Sequence, residues 1–262
     1  MQRKLNKLRE KLNRGERVTG SVIYSWSPNV MEAAGYGGLD FVRIDNEHAW
    51  RQDASAEHLM RAAALAEVAA IMRVDRENPF LIRKALEIGA SGILVPDVCT
   101  PEEAVSVVRA SKFPPRGTRG YSGNCFSGGW GSMAGAPWVQ WSNTEPMIGV
   151  MIENKKAMEC IDEILAVEGL DFVLFGPADY SMSLGLNEPS RNHEDVQSAL
   201  KKTIAAAKKC GKYVMYNPGV NPEEIKKYVD MGVTMLELSN DLSIIRSVWE
   251  KTNKAIAEMT DK

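Results

Sequence analysis

Metal-finger and dithiol chemistry are the first things this sequence lacks. Its 262 residues include only four cysteines, Cys99, Cys125, Cys160 and Cys210, and no two of them form a CxxC pair. They read as isolated reduced thiols of a cytosolic protein. Charge of one sign is missing too: the formal net charge is -2, which leaves no electrostatic footprint for nucleic acid or an anionic membrane. No apolar run approaches the roughly 18 residues of a membrane span, and Met1 to Arg17 lacks the apolar core of a signal peptide. A soluble, cytoplasmic protein is expected, with no nucleic-acid or membrane partner. No GxGxxG lies between the first expected strand and helix, so the dinucleotide-binding fingerprint is absent as well.

What is present is a rhythm. Leu5, Leu8 and Leu12 predict an amphipathic helix over 2–14, packed across one end of the domain. Short apolar runs then alternate with helical patterns. The expected strands are 20–24, 41–45, 69–74, 92–95, 147–152, 172–175, 213–216 and 235–238. The expected helices between and after them are 27–34, 54–66, 79–88, 101–111, 156–167, 195–210, 222–231 and 241–259. Eight such units at this length predict an α/β fold, a single (β/α)8 TIM barrel spanning 1–262, rather than an open doubly wound sheet. One stretch breaks the pattern. Residues 114–146 hold seven glycines and three of the six tryptophans, and they read as an irregular active-site loop.

A barrel of this kind gathers the C-terminal ends of its strands at one mouth. Asp45 and His48 follow strand two, Arg73 ends strand three, Glu153 follows strand five and Asp179 follows strand six. Each alone has an ordinary structural role as a cap, a turn residue or an ion-pair partner. Their convergence is what points to chemistry. Two carboxylates with no nearby cysteine or second histidine suit a hard, oxygen-preferring cation such as Mg²⁺ or Mn²⁺. Such an ion can polarise the keto oxygen of a chelating 2-oxo acid. Arg73 offers paired donors to an oxyanion. His48, oriented by Asp45, is the side-chain type suited to moving a proton near neutral pH. A Schiff-base mechanism would need a lysine at that mouth. Lys84, Lys155, Lys156 and Lys212 instead fall within or at the start of helices, or ahead of strand seven.

Ile44-Asp45-Asn46-Glu47-His48, Arg73, Leu94-Val95-Pro96, the run Pro114 to Gly120, Ile152-Glu153-Asn154 and Gly176-Pro177-Ala178-Asp179-Tyr180-Ser181 together resemble the HpcH/HpaI aldolase family. These are class II pyruvate aldolases of the phosphoenolpyruvate/pyruvate barrel superfamily, and the resemblance runs from about Gly20 to Ile256. It implies metal ligation by Glu153 and Asp179, with Mg²⁺, Mn²⁺ or Co²⁺ and no organic cofactor. It implies substrate contacts from Arg73 and from Gly176, Pro177, Ala178 and Asp179, with His48 and Asp45 as the base pair. Glu87 stands where the family carries an acid, more usually Asp, that reaches a neighbouring subunit's site. Relatives are hexamers, trimers of dimers with an exchanged last helix. The chain departs from the family at Val74-Asp75-Arg76-Glu77, at Asn46, at Tyr121 to Phe126 and at Val22, all on the side expected to face the aldehyde.

The implied activity is reversible cleavage of a 4-hydroxy-2-oxo acid to pyruvate and an aldehyde. Expected substrates are 2,4-dihydroxyhept-2-ene-1,7-dioate, in aromatic-compound catabolism, or a 2-keto-3-deoxy sugar acid. Oxaloacetate decarboxylation, through the same enolate, is an expected side activity. Two other readings stay open: a CoA-thioester lyase of the citramalyl or malyl type, and a non-catalytic 2-oxo acid binding protein.

Overall fold

The computed structural model describes residues 5–48, 55–75, 78–133 and 135–260. Its strands are β1 (Val18–Ile23), β2 (Phe41–Asp45), β3 (Ala69–Arg73) and β4 (Gly92–Val95), then β5 (Met147–Ile152), β6 (Phe172–Phe175), β7 (Tyr213–Tyr216) and β8 (Met235–Asn240). They close in sequence order, all parallel, and β8 pairs back onto β1. The fold is the expected (β/α)8 barrel. The helices are α1 (Lys7–Asn13), α2 (Pro28–Tyr36), α3 (Ser55–Leu65), α4 (Pro79–Glu87), α5 (Pro101–Ser111) and α6 (Ala136–Thr144). After β5 come α7 (Lys155–Glu159), α8 (Ile161–Ala166), α9 (Pro177–Ser183), α10 (Glu194–Lys209), α11 (Pro222–Met231) and α12 (Asp241–Thr260).

Strand parity separates two cores. Val42 and Ile44 of β2 and Ala70 and Met72 of β3 face the helices, in one large apolar layer. Phe41, Ile71, Leu94, Met151, Leu174, Met215 and Met235 alternate with them and fill the barrel interior. Leu8 and Leu12 of α1 belong to this inner cluster and plug the floor. Leu5, expected on the same face, is exposed. Arg9 ties the plug down, donating to the Asp171 carboxylate at 2.7 Å and to the Glu145 carbonyl at 3.1 Å. Two inward glycines make room for rings: a Cβ on Gly20 would lie 2.5 Å from the Phe41 ring, and one on Gly149 would run into the Phe172 ring.

The structure differs from the sequence expectation in several places, beginning with β1, which starts at Val18 and ends at Ile23 rather than spanning 20–24. The helix expected over 156–167 breaks at Cys160, where φ is -120° and ψ 30°. The segment after β6 forms the short helix α9, which is not among the expected helices. The stretch 114–146 contains α6 and a short 3₁₀ segment at Phe126–Gly131, in which Gly129 and Trp130 take positive φ. Strand β8 continues past 238 to Asn240. Residues 2–4 and 54 of the expected helices, and Arg76 and Glu77, lie outside the described residues. Among the described residues no helix is long and apolar enough to cross a membrane.

Gly149→Val tests the inner packing. The added branches must displace the Phe172 ring, so a loss of about 1–3 kcal/mol and a melting temperature several degrees lower are expected. An unchanged melting curve would contradict the interior packing described.

Candidate active site

The mouth is organised around Asp45, the last residue of β2, which has no exposed surface. Its side chain shares inward parity with Arg43, two residues earlier. Oδ2 accepts from Arg43 Nη1 at 3.1 Å and, at closer range, from Arg73 Nη2. Oδ1 accepts the backbone N–H groups of Glu47 at 3.2 Å and His48 at 2.8 Å. Trp26, a turn beyond β1, donates its indole N–H to the Asp45 carbonyl at 2.7 Å. Asp45 therefore meets His48 through the backbone; its expected hold on the imidazole is corrected accordingly. The carboxylate is already spent on two guanidiniums and two amides. The imidazole is more than half exposed, and its Nε2 lies 4.0 Å from the Glu47 carboxylate.

Arg73 ends β3 and is 3% exposed. Besides Asp45 it pairs with Glu47, Nη1 to Oε2, at 2.6 Å. Its Nε is buried and has no hydrogen-bond partner among the described residues. A buried N–H left unpaired in this way costs free energy unless something outside the chain takes it. Arg73 thus offers a donor for an anionic oxygen.

Glu153, just past β5, is 7% exposed and accepts the Asp97 amide at 2.7 Å. Asp97 presents that amide from a left-handed conformation, φ 49°. Burial, opposed by the Asp97 amide and reinforced by the negative charges of Asp179 and Glu47, pushes the Glu153 carboxyl up to about 7. Gly176 closes one side: a Cβ there would stand 2.7 Å from Glu153 Oε2. Asp179 lies in the first turn of α9, with Pro177 at its start, and is exposed at the mouth.

The Glu153 carboxyl thus feels the charges of Asp179, Glu47 and Arg73, of which Glu47 is not among the residues singled out at the strand ends. Glu87 stands apart on α4, with Arg83 Nε at 4.0 Å. It lines a separate cavity of about 520 Å³ with Asn46, Lys84, Cys125 and Trp130. Sequence reading missed Arg43 and Glu237. Their signal is a charged residue at inward parity within a strand, Arg43 between Val42 and Ile44 and Glu237 between Leu236 and Leu238. It also missed Asp97 as the group that holds Glu153.

Residues 21–247 match the HpcH/HpaI aldolase/citrate lyase family. The chain belongs to that family. It is similar to the 2-keto-3-deoxy-L-rhamnonate aldolase of Klebsiella pneumoniae, 33% identical over 94% of this chain and 91% of that one. The 2-dehydro-3,6-dideoxy-6-sulfogluconate aldolase of Pseudomonas putida is 30% identical over 90% and 91% of the two chains. Among solved structures, the citrate synthase SbnG superposes with a TM-score of 0.86 at 30% identity, covering 97% of this chain and 99% of that one. As an HpcH/HpaI family member related to named aldolases, the chain is a carbon–carbon lyase.

Among the described residues no cluster of three or more His, Cys, Asp or Glu side chains is poised to hold a metal ion. Glu153 and Asp179 supply two carboxylates whose charges act on one another, and Gly176 leaves the Glu153 oxygen uncrowded. That donor set fits a hard cation that keeps several positions for water and substrate oxygens.

The raised carboxyl has a measurable consequence in the metal-free protein. A group whose folded-state pKa is raised keeps its proton longer in the folded chain. Its ionisation therefore costs stability as pH climbs from 4.5, the ordinary value, through about 7. Glu153→Gln removes that titration. With a chelator present, the variant should gain on the native protein as pH rises from 4 to 8, by about 3 kcal/mol in urea-unfolding free energy. A difference that stays constant with pH would show that Glu153 does not sit in this environment.

Proposed function

We propose that this HpcH/HpaI family member is a divalent-metal-dependent class II pyruvate aldolase. It reversibly cleaves a 4-hydroxy-2-oxo acid, of the 2-keto-3-deoxy sugar-acid kind, to pyruvate and an aldehyde, and it acts in the cytoplasm on small molecules. The observation that carries this reading is the buried Nε of Arg73, without a hydrogen-bond partner among the described residues, on a guanidinium whose charge, like that of Asp179, acts on the Glu153 carboxyl. The names of the sugar-acid aldolase relatives support it.

Glu153 and Asp179 would hold the cation, which supplies Lewis acidity at the keto oxygen. Arg73 donates to the oxygen on which negative charge develops, from a site where little water competes. The backbone of Gly176 to Asp179 takes the carboxylate end of the 2-oxo acid. His48, exposed at the mouth, removes the C4 hydroxyl proton. The C3–C4 bond then breaks, its electron pair passing into the pyruvate enolate, and C3 is protonated before release. Oxaloacetate, whose decarboxylation gives the same enolate, is a side substrate on this reading. Of the loop's two basic residues, Arg116 and Arg119, Arg119 is buried and stacked 4.5 Å from the centre of the Phe113 ring, which leaves Arg116 alone exposed to meet CoA phosphates. That disfavours a CoA-thioester lyase.

The enzyme assembles with copies of itself on this reading. After Asp241 no residue of α12 is buried, and the helix carries Val248, Trp249, Ile256 and Met259 into solvent. A 20-residue amphipathic helix that meets its own barrel at β1 and β8 and leaves these apolar side chains exposed fits exchange between subunits in a hexamer. Glu87, set apart from its own chain's mouth, then reaches a neighbour's site.

Pyruvate release from a simple 4-hydroxy-2-oxo acid, coupled to NADH oxidation by lactate dehydrogenase, tests the activity. Pyruvate is expected with Mn²⁺, not with chelator, and at a rate about 10² to 10⁴ times lower for His48→Ala. Turnover of CoA esters alone, or pyruvate binding with no turnover, would replace the aldolase reading with one of its rivals. Light scattering should show a particle of six chains, reduced by Trp249→Asp. A monomeric native protein would remove the exchanged helix.

A further inference from the structure

Beneath the mouth lies a buried ion-pair network that the reaction as written does not use. Arg43 Nε donates to Glu237 Oε1 at 2.6 Å, and Arg43 Nη2 donates to Oε2 at 3.0 Å. The third guanidinium nitrogen, Nη1, donates to Asp45 Oδ2 at 3.1 Å, the oxygen that also receives Arg73. Arg43 is 5% exposed and Glu237 1% exposed. The pair reaches across β1, which lies between β2 and β8 in the barrel. Two cations, Arg43 and Arg73, face two anions, Asp45 and Glu237, and Glu47 closes the far side of Arg73.

Stability does not require this arrangement. The barrel interior is otherwise filled by apolar side chains such as Ile71, Leu94, Met151, Leu174 and Met215. Replacing a buried ion pair with apolar side chains of similar volume is often neutral or stabilising. What the pair does control is Asp45. With Glu237 in place, two of the three guanidinium nitrogens of Arg43 are engaged away from Asp45. Without Glu237, Arg43 is a buried cation whose nearest remaining anion is the Asp45 carboxylate, and it competes there directly with Arg73. Burial alone would weaken the hold of Arg43 on its proton; Glu237 and then Asp45 outweigh it and keep the guanidinium charged. Tyr24, half-buried at the end of β1, feels the charges of all four groups.

We propose that Arg43 and Glu237 are positioning residues for the aldol reaction. They set where the Asp45 carboxylate sits, and through it the direction of the Arg73 guanidinium and the turn that carries His48. This rests on the aldolase reading above. An error of about 1 Å at such a donor is enough to cost on the order of a hundredfold in rate.

The test is the neutral double variant Arg43→Met/Glu237→Met, assayed for kcat and KM with Mn²⁺. Inhibition by oxalate, a planar dianion shaped like the pyruvate enolate, is measured alongside. The variant should melt at or above the native temperature. Its kcat/KM should nevertheless fall, and its oxalate inhibition constant rise, by at least about tenfold. Arg43→Lys, which keeps the charge opposite Glu237, should recover part of what Arg43→Met loses. A folded double variant with native kcat/KM and native oxalate inhibition overturns the proposal. If the double variant aggregates, the isosteric Glu237→Gln poses the same question: native oxalate inhibition in that soluble variant overturns the proposal, and about tenfold weaker inhibition sustains it. The native enzyme is assayed first. Failure to release pyruvate there sinks the aldolase reading and the positioning claim with it, whereas unchanged variant kinetics sink the positioning claim alone.

Discussion

The Asp45 carboxylate is the constraint on which this mouth depends. An anion with no exposed surface costs several kcal/mol to bury unless it is paired. Here four donors offset that cost: two guanidiniums and two backbone amides. Hydrogen bonds to a charged group contribute roughly 1.5–3 kcal/mol each. The donors come from β2, β3 and the turn beyond β2, so one side chain joins the barrel interior to the catalytic loop. Burial pushes the Asp45 carboxyl up, but Arg73, the His48 amide and Arg43 together hold it below the ordinary range. A depressed carboxylate pKa gives stability that is complete above the unfolded value and lost only as pH falls through the folded one. At neutral pH Asp45 is a fixed anion, which is what an anchoring group needs to be.

Glu153 is held in the opposite way at the same mouth. It too is buried, but it accepts the Asp97 amide in place of two guanidiniums and has negative neighbours, so its carboxyl rises to about 7 where that of Asp45 falls. Two carboxylates pushed apart by their surroundings divide the work. The saturated one builds the frame, and the under-satisfied one is free to be the cation ligand of the proposed metal-dependent reaction. Gly176 preserves that state, because any side chain there would crowd the Glu153 oxygen.

Much of this was legible in the sequence because parallel strands leave two plain marks, apolar runs and a change to polar residues at one end. Those marks located all eight strands and predicted that Arg73, Glu153 and Asp179 would share a mouth. Shorter-range competition was less legible. Asp45 precedes His48 by three residues, which suggests a carboxylate–imidazole pair. A short acidic side chain at a strand end instead bonds the amides that follow it. Helix α9 was missed because seven residues opened by Gly176-Pro177 carry too little periodicity to show a helix. The Arg43–Glu237 pair joins strands two and eight, 194 residues apart in the chain. Nothing local marks such a pair except a charged residue at inward parity within each strand.

The likeness to both sugar-acid aldolases and a citrate synthase then has a physical basis on the aldolase reading. A mouth that stabilises the enolate of a 2-oxo acid does not itself choose the carbon that the enolate meets. Arg73, Glu153 and Asp179 act on the shared half. Choice of the other half falls to residues around them: the Asn46 turn, the loop carrying Tyr121 and Phe126, and Glu87 beside its separate cavity. These include positions where the chain departs from its family. The framework that holds the enolate can therefore stay the same while the acceptor changes, because the buried charges that fix Arg73 lie in the barrel interior and the acceptor-facing residues lie outside it.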